Sequence, residues 1–157
     1  MKKSNAMEMK KVFLLLALTA GLTTSLNAQN LSKAIGLRAG WGAELSYQHP
    51  VSTSNRIELD LGLNFLDGTH GIFAVGIYQW VWDLSRLAPG FNWYAGAGPA
   101  VGLYTSSFAV GAVGQVGIEY KFKIPLQVSL DYRPGYIFVP DAWPIYDAVC
   151  AGVRYTF

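Results

Sequence analysis

The 157-residue chain has little of what catalytic and metal-binding domains draw on. Its single cysteine, Cys150, excludes an intrachain disulfide. Its two histidines, His49 and His70, lie far apart and with one thiol do not make a ligand set, so neither metal nor cofactor is expected. Charge is scarce at 14%. Beyond the N-terminal segment no apolar run approaches the roughly 20 residues of a membrane-crossing helix, and no helical period is sustained. Glycine-rich stretches such as "GAGPAVG" sit inside alternating segments rather than at a strand-to-helix turn, which argues against a phosphate cradle and for close packing. What the chain does have is 52% hydrophobic residues, 14% aromatics and 17 glycines, and that apolar surface needs a cover.

Residues 1–28 read as a cleavable signal peptide. Lys2, Lys3, Lys10 and Lys11 supply a positive start, Val12–Leu22 an apolar stretch shorter than a bilayer crossing, and "LNA" before Gln29 a small-residue cleavage site. Four of the twelve basic residues and one of the ten acidic ones lie in it, leaving eight against nine in residues 29–157. The basic balance of the whole chain therefore belongs to the targeting segment, and no nucleic-acid partner is expected. No cysteine follows the cleavage site, so there is no lipoprotein signature.

The remaining 129 residues, one domain in size, alternate with period two, the mark of β-strands. In Arg56–Phe65, Ile57, Leu59, Leu61 and Leu63 share one face while Arg56, Glu58, Asp60 and Asn64 share the other. The same two rows run through 91–104, 108–122, 126–138 and 149–157. In "IFAVGIYQWVWDL" we place Tyr78, Trp80 and Trp82 on the apolar side, because Gln79 and Asp83 then share the other. Short turns at 50–55, 67–71, 85–90, 105–107 and 123–125 predict antiparallel neighbours, with a longer connection at 139–147. Residues 34–49 can be one long strand or a hairpin about "GWG", whose three-residue turn pairs Ala39 with Ala43 and keeps the alternation.

Alternation alone does not separate a soluble sandwich, with its apolar faces meeting inside, from a membrane barrel, with them outside. Aromatic placement does. Followed as a meander, one rim collects Trp80, Trp82, Phe91, Trp93, Tyr120, Phe122, Tyr155 and Phe157, and the other Trp41, Phe65, Tyr104, Phe108, Tyr136, Phe138 and Trp143. Two such girdles, separated by aliphatic residues, belong at the two membrane–water interfaces. The expected fold is all-β, an eight-stranded antiparallel up-and-down transmembrane barrel, since an even number returns the chain to its starting side. Its lumen would receive Arg38, Arg56, Lys121, Arg133 and Arg154 with Glu44, Glu58, Asp60, Asp83, Glu119 and Asp131. Eight strands enclose only enough space for side chains, so these charges should pair into an ionic plug.

From "AIGLRAGWGAELSYQHP" through "NRIELDLGLNF", "YQWVWDL", "FNWYAGAG" and "GIEYKFKIPLQVSLDYRPG" to "GVRYTF", the chain resembles the porin-like family of small eight-stranded bacterial outer-membrane β-barrel proteins. The resemblance implies a Gram-negative-type outer membrane, contact with its lipid and lipopolysaccharide, and an ending, Tyr155 and Phe157, that is read by the barrel-assembly machinery. It supplies no catalytic residues. The functional reading is a structural or interaction protein of the envelope; Trp143 and Tyr146 in the 139–147 connection are its best contact surface, although interfacial anchoring is the favoured role for these two rings. Narrow porin-like transport is the alternative. A lipid-modifying enzyme built on His70, with Asp67, Thr69 and Ser106 or Ser107 on the outer loops, lacks a motif that fixes a nucleophile beside it.

Overall fold

A computed structural model of the chain describes residues 31–64, 70–104, 107–146 and 148–157. The expected signal peptide, Phe65, Asp67, Thr69 and Ser106 lie outside them. No helix occurs among the described residues. The strands are β1 (Ala34–Ala39), β2 (Ala43–Pro50), β3 (Asn55–Asn64), β4 (Gly71–Asp83), β5 (Phe91–Tyr104), β6 (Ser107–Lys121), β7 (Leu126–Tyr132), β8 (Gly135–Val139), β9 (Trp143–Ile145) and β10 (Val149–Thr156). Each pairs antiparallel with its neighbours, and β1 pairs β10 from Ala34↔Thr156 to Ala39↔Ala151, which closes the sheet on itself.

Ten segments make eight staves. β7 and β8 continue one another along β6, where Val116↔Tyr132 and Val113↔Gly135 lie on a single register. The break between them is Arg133–Pro134, and proline has no N–H to give to a ladder. The last stave is β9 and β10, between which pairing slips by one residue, from Gly135↔Ile145 to Tyr132↔Val149. The connection expected over 139–147 thus contains a short strand. The first hairpin uses the three-residue turn, with Ala39 opposite Ala43, and preserves the alternation.

The barrel is built inside out relative to a soluble protein. Around its outer face run the cross-strand neighbours Val153, Leu37, Leu45, Leu61, Ala74, Val101 and Val110. Leu37 is 68% exposed, while Arg38, next to it, is 3% exposed. An unbroken aliphatic belt of this extent is stable only against an apolar solvent, and closure removes the unpaired edges that hydrocarbon would not tolerate. Backbones approach closely where the wall bends. A Cβ on Gly98 would lie 1.7 Å from the Gly76 carbonyl oxygen, so only glycine fits between β4 and β5 at that level.

Candidate functional site

Alternation aims the polar row of β1, β2, β3, β6, β7 and β10 into the lumen, where nine charged side chains are almost fully buried. Glu58, from the middle of β3, is the hub. It accepts hydrogen bonds from Arg38, from Arg154 Nη2 at 2.9 Å, from Gln48 Nε2 at 2.6 Å and from Gln115 Nε2 at 3.1 Å. Toward the mouth at which the chain enters β1, Arg56 grips Glu119 with both terminal nitrogens, at 3.1 and 2.7 Å. Gln127 bridges Glu119 and Gln48. On the opposite side of the hub Arg38 Nη2 reaches Asp131 at 2.8 Å, and Tyr94 donates to the other oxygen of the same carboxylate. Arg133 joins Glu44 at 2.5 Å and Asp60 at 2.8 Å. Ionic hydrogen bonds therefore link β1, β2, β3, β6, β10 and the stave of β7 and β8 across the lumen, and each buried charge meets an opposite one.

Two residues expected in this network stand at its edge. Asp83 accepts from the backbone N–H and hydroxyl of Ser85, both at 2.7 Å, and so holds the turn after β4. Lys121 is half-buried at the inner mouth, where its Nζ meets Ser32 Oγ at 3.1 Å. Both lie at strand ends, where the lumen opens to water and a charge has no need of a deep partner.

Most of the aromatics stand where the girdles require. At the inner rim Trp82 stacks on Trp93 with ring centres 4.2 Å apart, Phe91 packs on Tyr120, Tyr120 on Phe122, and Tyr155 on Phe157, while Trp80 contacts Tyr78. Phe108 is exposed at the outer end, and Tyr136 packs on Phe138 there. Trp41 and Tyr104 correct the expectation. Trp41 lies in the turn rather than in a strand, so alternation does not govern it. Its ring leans into the barrel mouth over the Arg133 guanidinium, 4.7 Å away, and against Phe73 at 5.9 Å. Tyr104 falls on the inward register of β5, and its ring covers the Cβ-less positions Gly71 and Gly102.

One feature was missed in the reading of the sequence. The inward row of β4 is apolar in its outer half, and Phe73, Val75 and Ile77 form a buried cluster with Ala100, Val113 and Trp41. The parity that puts Gln79 inside also puts these three inside, so the signal was present. Charges thus occupy one sector of the lumen, and an apolar lining occupies the outer half of the other.

His70 is exposed after the outer turn, and the loop residues expected around it lie mostly outside the described ones. His49 Nδ1 is 3.1 Å from Tyr47 OH on the outer surface near the inner rim. Cys150 is buried beneath Gly40, where a Cβ would meet its Sγ at 2.3 Å. Among the described residues no group of three or more His, Cys, Asp or Glu is placed to hold a metal ion.

A closed eight-stave antiparallel barrel with aliphatic exterior and ionic interior defines the class of small transmembrane β-barrels. No family model matches the chain, and no curated protein matches its sequence. Among solved structures, the crystal structure of Neisserial surface protein A (NspA) is similar, with a TM-score of 0.49 and 15% identity over 80% of this chain and 94% of that one.

Proposed function

We propose that the protein is an integral outer-membrane barrel of a Gram-negative-type bacterium, closed through its middle by ion pairs, with a structural or interaction role in the envelope and no catalysis. The observation that carries this reading is the Glu58 hub and the Arg–carboxylate pairs around it, which fill the lumen where a channel would need continuous water. Opening a path would separate buried partners, at about 3–5 kcal/mol for each charge left alone. Outer-membrane lipid and lipopolysaccharide are the partners of the aliphatic belt, and the Tyr155/Phe157 ending suits recognition by the assembly machinery.

Two measurements test the proposal together. Fractionation should place the chain in the outer membrane, with a heat-dependent gel shift for the folded barrel; a soluble periplasmic protein would exclude it. In planar bilayers the purified protein should give no steady conductance. Reproducible unitary steps would replace the closed-barrel reading with the porin-like one.

A further inference from the structure

Above the ionic layer the barrel holds a cavity of about 420 Å³, within the roughly 300–1,000 Å³ typical of small-molecule sites. Trp41, Phe73, Tyr104, Ile137, Trp143 and Tyr146 line it, and none of its described lining residues carries a charge. Its floor is shut by the Trp41 ring stacked over Arg133, so it is a cup open at the mouth and not a segment of a pore.

Two observations say that the cup is kept open for an occupant. Where larger side chains would fill it, β5 and β6 supply Ala100 and Ala109, leaving a void whose lining forgoes dispersion contacts. Its rim holds Trp143 and Tyr146, 60% and 71% exposed, rings whose apolar faces gain from being covered.

We propose that this outer cup is a binding site for an uncharged, largely apolar ring compound. Aromatic walls on several sides suit a flat ring by offset or edge-to-face contact. The absence of charge from the described lining leaves an ionic ligand without compensation for its lost hydration. This goes beyond a structural role: the barrel becomes a one-sided receptor, its ion pairs serving as the base on which the cup is built.

The probe is 1-naphthol, titrated calorimetrically into lipid nanodiscs that carry the whole barrel, with empty nanodiscs as the reference. One saturable site per chain is expected. 1-Naphthalenesulfonate, the same ring with a fixed charge, should not occupy it. Ala109→Trp, which fills the cup from an inward position, should weaken binding by about tenfold or more, because it removes the space that supplies the contact area. Ala100→Phe serves the same purpose if Ala109→Trp lacks the heat-dependent gel shift of a folded barrel. Partitioning equal to that of empty nanodiscs would overturn the proposal, as would saturable binding indifferent to both filling variants. Preference for methyl β-D-glucopyranoside over 1-naphthol would overturn the apolar assignment. None of these outcomes depends on whether the lumen conducts.

Discussion

Replacing Arg133 by methionine removes the cation that joins two carboxylates from different staves, and its effect can be worked from the contacts. The guanidinium is buried and reaches Glu44 at 2.5 Å and Asp60 at 2.8 Å. Without it, both acids depend on Arg38, whose nitrogens approach them only to 3.4 and 3.7 Å and already serve Glu58 and Asp131. Stranding a buried charge in this way costs about 3–5 kcal/mol. The lost cation–π contact with Trp41 adds up to about 2 kcal/mol in a dry site. Arg133→Met should therefore lower the stability of the barrel by about 3–7 kcal/mol, measured by urea unfolding in lipid vesicles with tryptophan fluorescence and the folded gel band as readouts. If uncompensated charge is the cause, Arg133→Met combined with Glu44→Gln should recover about 1–3 kcal/mol, the usual coupling between contacting groups. A loss under about 1 kcal/mol, or a double variant that is worse by the full sum of its parts, would refute the reasoning.

Three further outcomes follow from the same structure. Leu59→Arg puts a charge on the lipid-facing row near the middle of β3 and should cost about 2–4 kcal/mol in the same unfolding assay. Gly98→Val forces a Cβ into the Gly76 carbonyl and should abolish the folded gel band, whereas Gly114→Ala, where a Cβ would have open space, should leave it intact. Cys150, buried inside the wall, should resist a maleimide in the folded barrel and react fully in urea; fast labelling of the folded protein would contradict its inward placement.

How much of this was readable in advance depends on which physical rule governed each residue. Pleating makes the face of a strand residue a matter of parity, so Leu37 outside and Arg38 inside, or Ile57 outside and Glu58 inside, followed from spacing alone. Partnership did not. Arg133 meets Glu44 across 89 residues and Asp60 across 73, and those encounters depend on how far each stave is staggered around the barrel, which no local pattern encodes. Trp41 escaped for a different reason, because turn residues leave the pleat and a ring there settles on whatever lies within reach, here Arg133 and Phe73.

Phe73, Val75 and Ile77 are the instructive case. Both rows of outer β4 are apolar, so hydrophobicity cannot say which of them is inside, and only the polar Gln79 and Asp83 farther along the strand carry the parity back to them. A barrel of this class keeps polar residues inside and apolar ones outside. Its outer β4 sector departs from that rule, and there the lumen stops being an ionic plug and becomes an aromatic-lined cup. Local rules tend to be broken where a protein does something other than fold. On that ground the outer cup, more than the charged layer below it, is the place to test for the proposed binding.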